Sequence, residues 1–166
     1  MKLLILFMTL VLNTTFANTI SLSVPDTIRG EGQYSFLFFD VYYAKLYGEK
    51  EGDIYSKAFC LELKYLRDFK GEDIAYQSKK EMLKQGVKAE LIEKYLQQMK
   101  DIFPNVKNGD AIIANFKPES GVEFYLNRKR YLGGFKDKEF SRSFMDIWLG
   151  EKSSDQELRK KLLGDI

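Results

Sequence analysis

What most constrains this chain is a change of apolar period, from two residues to about 3.6 and back, with very little chain spent on the connections. Residues 59–66 alternate, with Phe59, Leu61, Leu63 and Tyr65 on one face and Cys60, Glu62, Lys64 and Leu66 on the other. At Gly71 the period lengthens, and residues 72–85 read as a helix opened by Glu72 and Asp73, whose charge complements the helix dipole, and closed by Gly86. Leu91, Ile92, Tyr95, Leu96, Met99, Ile102 and Phe103 then form the apolar stripe of a second helix that stops before Pro104. Asn108-Gly109-Asp110 signals a turn, and 111–116, 122–126 and 130–135 follow as a strand meander.

Upstream, 19–24, 28–32, 34–39 and 41–47 are strand-like, with a turn at Pro25-Asp26. The run Phe36-Leu37-Phe38-Phe39 predicts a strand covered on both faces, interrupted at Asp40. Beyond residue 135 the period is helical again. Phe140, Phe144, Ile147 and Trp148 share a face, and Ser154 with Glu157 has capping-box spacing ahead of Leu158, Leu162, Leu163 and a stop at Gly164. Connections this short leave strand pairs mostly antiparallel. The expected fold is therefore α+β: an antiparallel β-sheet with a layer of α-helices on one face, an open-faced sandwich. With 166 residues, 13 Phe and 10 Tyr, the chain can bury a full core, and no repeat or linker divides it.

Residues 1–17 read as a secretory signal peptide, with Lys2 ahead of an apolar run over 3–12 and small residues before a cleavage point after Ala17. That run is about half the roughly twenty residues needed to cross a bilayer, so no membrane span is expected after cleavage. The expected organisation is a leader, 1–17, and one domain, 18–166, delivered to the periplasm or secreted. Cys60 is the only cysteine, which excludes an internal disulfide, and its apolar neighbours predict a buried structural thiol. The 26 basic and 24 acidic residues are interspersed, so no nucleic-acid partner is expected.

The chain has no histidine, which removes the usual general base, the Ser-His and Cys-His pairs and the commonest zinc ligand. No acidic calcium-loop spacing exists, so neither a metal nor a cofactor is expected. Gly30-Glu31-Gly32 lacks the remainder of a phosphate loop and reads as glycines that permit a tight strand bend. Acid-base chemistry by carboxylate or tyrosine stays open, although no spacing singles out a pair.

Several strings taken in order carry a resemblance: Ile28-Arg29-Gly30-Glu31-Gly32, Phe39-Asp40-Val41-Tyr42-Tyr43-Ala44-Lys45-Leu46-Tyr47, Leu63-Lys64-Tyr65-Leu66-Arg67-Asp68, Asn108-Gly109-Asp110, and Phe144-Met145-Asp146-Ile147-Trp148-Leu149-Gly150 with Leu162-Leu163-Gly164. Together they resemble the bacterial chalcone isomerase-like family of exported proteins. The resemblance implies a large antiparallel sheet, a helical layer over one face and a ligand cleft between them. In the plant enzymes of that fold an arginine, a threonine, a tyrosine and an asparagine act in the cleft. Aligned on the glycine pair, on Val41-Tyr42 and on the helix after Gly71, those positions here are Tyr34, Leu37, Ile74 and Glu81. A cation and two hydroxyls are thus replaced by an aromatic and two aliphatic side chains, which removes the expected donors for a developing oxyanion.

Three functions follow as expectations. In the first, Tyr34, Leu37, Ile74 and Glu81 line a cleft that binds a hydrophobic small molecule such as a fatty acid, as relatives of the plant enzymes do. In the second, Glu81 acts as acid or base beside Tyr34, which requires a strongly raised Glu81 pKa. In the third, the protein is a structural or partner-binding module of the envelope that displays an exposed apolar patch.

Overall fold

In a computed structural model, residues 22–166 are described, so the leader reading over 1–17 and the start of the expected 19–24 strand lie outside the described residues. Six strands, β1 (Ile28–Phe36), β2 (Phe39–Tyr47), β3 (Phe59–Tyr65), β4 (Ala111–Lys117), β5 (Gly121–Leu126) and β6 (Arg130–Phe135), form one sheet in sequence order. Every neighbouring pair is antiparallel. Helices α1 (Gly71–Lys84) and α2 (Ala89–Ile102) connect β3 to β4, and α3 (Lys138–Leu149) and α4 (Gln156–Leu163) follow β6. A short 3-10 turn, Ile54–Ser56, lies between β2 and β3 and carries no periodicity that sequence could reveal.

The main core lies between one sheet face and the helices. Phe59, Leu61, Phe124 and Phe135 from the sheet meet Ile92, Met99, Phe140, Phe144 and Leu162 from the helices. On the opposite face, Tyr47, Cys60 and Ile113 are covered by Leu22 and Val24. Of the expected first strand, residues 22–24 are therefore an extended cover over the outer face and pair as no strand. One backbone hydrogen bond, from Leu22 N to Arg128 O at 2.9 Å, holds the cover down. Cys60 is 1% exposed beneath it, and burial pushes its thiol up to about 11, which leaves it protonated and unreactive at neutral pH.

The first hairpin departs most from expectation. Segments 28–32 and 34–39 are not two strands: β1 runs through to Phe36 and turns at Leu37 and Phe38, with φ of 47° and 73°. Phe36, Leu37, Phe38 and Phe39 are 59%, 67%, 102% and 57% exposed, so the run read as doubly covered is the exposed tip of a hairpin. A two-residue turn with positive φ ordinarily carries Asn or Gly, and their absence hid it. The irregularity foreseen at Asp40 falls beside it. Pairing jumps from Tyr34 with Tyr42 to Ser35 with Asp40, leaving Val41 as the extra residue.

Gly30 and Gly32 sit in β1, next to a register shift between Ile28 and Gly30, and they also let α4 lie directly on the strand. A Cβ at Gly30 would stand 1.9 Å from the Lys161 carbonyl oxygen, and one at Gly32 would stand 2.9 Å from a Leu158 methyl. Asp155, not Ser154, caps α4, accepting from Leu158 N at 2.9 Å. The expected capping box does not form: with Asp155 as the cap, the third helical residue is Leu158, which cannot return a hydrogen bond, and the Ser154 hydroxyl instead donates to Glu81.

Candidate functional site: a tyrosine-floored cleft

The sheet and the helical layer part at one end, over β1–β3, and enclose a cleft of about 330 Å³. That is near the lower limit of small-molecule pockets, roughly 300–1,000 Å³. The register explains its floor. Tyr34 pairs with Tyr42 and Tyr42 with Tyr65, so three tyrosines stand side by side on the helix-facing side of three adjacent strands. Tyr34 and Tyr42 stack with centroids 5.1 Å apart, and Tyr42 meets Tyr65 edge-on at 6.1 Å. The bulge turns Val41 into the cleft as well, where Phe36 and Leu63 complete the floor.

The roof comes from helix periodicity. Ile74, Gln77, Ser78 and Glu81 recur at i, i+3, i+4 and i+7 along α1, which puts all four on the face over the tyrosines. Gly71 starts α1 close against the end of α2: a Cβ there would stand 1.9 Å from the Phe103 carbonyl oxygen, and its N–H is held by Asn105 Oδ1 at 3.0 Å. Ile147 and Trp148 of α3 and Leu158 of α4 close the other side.

Polar groups gather at two levels. At the rim, the Glu81 carboxylate accepts from Gln77 Nε2 at 2.9 Å, from Lys84 Nζ at 2.8 Å and from the Ser154 hydroxyl. Burial pushes the Glu81 pKa up, but the bonds from Lys84, Ser154 and Gln77 outweigh it and hold the carboxyl below its ordinary value. Asp73 and Asp155 are the other carboxylates of the rim. At the floor, the Trp148 indole N–H donates to the Tyr42 hydroxyl oxygen at 2.9 Å. The Tyr65 hydroxyl has no hydrogen-bond partner among the described residues, although Tyr65 is only 5% exposed. Since no fully enclosed side-chain oxygen there lacks a partner, this hydroxyl meets the open space of the cleft. Burial raises the pKa of Tyr34, Tyr42 and Tyr65, with Glu81 and Asp155 adding to the effect at Tyr34, so all three hydroxyls stay protonated near neutral pH.

The expected site residues separate on this geometry. Tyr34, Ile74 and Glu81 come together in the cleft. Leu37 does not: it lies at the exposed hairpin tip, because counting back from Val41-Tyr42 without a gap ignores both the turn and the bulge. The expected lack of hydroxyls is also corrected, since the cleft is lined by Tyr42, which served only as an anchor of the alignment, and by Tyr65, which lay outside it. No lysine or arginine lines the cleft among the described residues. Arg29 donates to the Leu163 and Gly52 carbonyls, both at 3.0 Å, and Arg67 lies 4.6 Å over the Phe39 ring. Trp148, Tyr65 and Ser154 were missed; the parity of 59–66 already placed Tyr65 on the core face, but nothing local marked that face as open.

A sheet with one helical layer, meeting over a cleft at the end of β1–β3, is the architecture that the sequence resemblance implied. The chalcone isomerase-like family matches residues 13–164, nearly the whole chain. The chain belongs to the chalcone isomerase-like family. Among solved structures, this chalcone isomerase-like chain is similar to a fatty-acid binding protein of Arabidopsis thaliana, with a TM-score of 0.62 and 17% identity, over 86% of this chain and 90% of that one. At that identity the likeness shows a shared fold. No curated protein matches by sequence.

Proposed function

We propose that this chalcone isomerase-like protein binds a hydrophobic small molecule in the tyrosine-floored cleft and carries out no reaction on it. The observation that carries the reading is the opening itself: the layers interlock over most of the sheet, yet stand apart by about 330 Å³ where Tyr34, Tyr42, Ile74 and Trp148 converge. Apolar walls with a few polar anchors suit a ligand whose body is aliphatic or aromatic. The name of the Arabidopsis neighbour, a fatty-acid binding protein, supports an acyl chain as that body.

The acid-base alternative loses its physical footing at Glu81. A general acid at neutral pH needs a raised pKa, and three donors hold this carboxylate in its charged form. Its evident role is to tie α1 to the α3–α4 connection. Native mass spectrometry of the purified chain tests the binding reading. The expected result is a copurified apolar adduct that is missing from Ile74→Trp, in which an indole fills the cleft; an adduct-free wild type that also takes up no added lipid would contradict it. We place the protein outside the cytoplasm, with residues 1–17 removed, on the strength of the leader pattern alone. An intact Met1 on protein recovered from its native host would refute that placement.

A further inference from the structure

We infer that the cleft selects an apolar molecule whose polar end is a neutral hydrogen-bond acceptor, such as an ester, ketone or amide oxygen, and disfavours a free carboxylate. This rests on the reading of the cleft as a ligand site. Its first support is the pair of donors on the floor. The Tyr65 hydroxyl has no partner among the described residues, and Tyr65 is 5% exposed. An indole N–H can only donate, so the Tyr42 oxygen accepts from Trp148 and keeps its own proton free to give, and no described residue takes it. Two hydroxyl protons on adjacent strands therefore face the cleft with no described residue accepting from either. A buried donor left unmet is unfavourable, and a ligand oxygen placed between Tyr42 and Tyr65 would meet both.

The second support is the charge of the rim. Asp73, Glu81 and Asp155 line the cleft, and no described basic residue does. Lys84 reaches this network but is bonded to Glu81 at 2.8 Å. A carboxylate entering the cleft would shed its water, pass three carboxylates and find no counter-ion. A carbonyl oxygen keeps the acceptor and avoids the repulsion. An ammonium end would suit the rim but would leave both floor hydroxyls unmet.

Calorimetric titration of the purified full chain at neutral pH with methyl dodecanoate, dodecanoate and dodecylamine, each below its aggregation threshold, separates these cases. The ester is expected to bind about tenfold tighter than dodecanoate. Tyr65→Phe should weaken ester binding by about fivefold to tenfold, as the loss of one hydrogen bond predicts. Tyr42→Phe should act in the same direction, and it serves if the Tyr65 variant does not fold. Asp73→Asn combined with Glu81→Gln should narrow the gap between ester and acid. Dodecanoate binding as tightly as the ester, or dodecylamine binding tightest, would overturn the inference and leave the cleft a ligand site. Failure of all three probes to bind would overturn the inference and the binding reading together.

Discussion

The two ends of the sheet-helix interface are built from aromatic residues in opposite ways. Over β5 and β6 the rings are phenylalanines: Phe124 packs edge-on against Phe103, Phe135 and Phe144 at 5.2, 5.7 and 5.3 Å, and Phe140 meets Phe135 at 4.7 Å. Tyr95 of α2 joins them, 5.7 Å from Phe135 and 4.3 Å from Phe140, but its hydroxyl is met by Asp137 Oδ2 at 2.9 Å, so no unmet polar group holds the rings apart and they fill the space. Over β1–β3 the rings are tyrosines, and there the layers stay apart. A hydroxyl buried without a partner is costly, so a row of three can face the helices only if something polar, or an open cavity, receives it. The difference shows that the cleft follows from which aromatic residue stands at each helix-facing position.

The sharpest way to break this contrast is to truncate one apolar side chain at each end. Phe124→Ala should cost about 3–5 kcal/mol in urea unfolding, as expected for a cavity cut into a filled core. Ile74→Ala, at the wall of a space already open, should cost about 1 kcal/mol. Similar costs at the two sites would mean that the tyrosine end is packed as tightly as the phenylalanine end.

A smaller effect tests the rim that holds the open end together. Glu81→Gln should lose about 1 kcal/mol at neutral pH by weakening the tie to Ser154 and Lys84. The folded-state pKa of Glu81 is depressed, so the unfolded chain takes up its proton first as pH falls. Its contribution is therefore present above the unfolded value of about 4.3 and is lost as pH falls through the lower folded value. Urea midpoints between neutral pH and the acid range should decline less steeply in Glu81→Gln than in wild type. Asp110 and Asp137, whose pKa values are held low chiefly by hydrogen bonds from Asn127 and from the Phe140 backbone N–H, should supply the remaining slope. Identical acid limbs would show that the Glu81 network contributes nothing.

The smallest effect is expected at the hairpin tip. Leu37→Asn replaces an exposed leucine at φ 47° with a residue that tolerates that conformation, so stability should change by no more than about 0.5 kcal/mol. Ligand affinity should not change at all. A weakened ligand in this variant would bring Leu37 back into the site.

How much of this was legible from sequence follows from how locally each feature is determined. Strand β3, the two central helices and the β4–β6 meander were readable because period and turn chemistry are written within a dozen residues, as in Asn108-Gly109-Asp110. The first hairpin was not, because its turn uses Leu37 and Phe38, which carry no turn signal, and because a short apolar run reads alike whether it is buried or bare. Tyr34, Ile74 and Glu81 were reachable through motif alignment, since no bulge or turn intervenes between each of them and its anchor. Tyr65 and Trp148 were placed on core-facing surfaces, but whether a core face is filled depends on what stands opposite. Tyr65 faces open space only because α1 brings Ile74 and Ser78 over that end in place of further phenyl rings.

Trp148 is the only tryptophan in the chain and lies in the wall of the cleft, with its indole N–H on Tyr42. Titrating the protein with methyl dodecanoate while following tryptophan emission therefore tests the central claim most directly. A saturable change in emission that is lost in Ile74→Phe, where a larger ring occupies the same space, is the predicted result. Emission that stays constant in the wild type, or changes equally in the filled variant, would contradict the account.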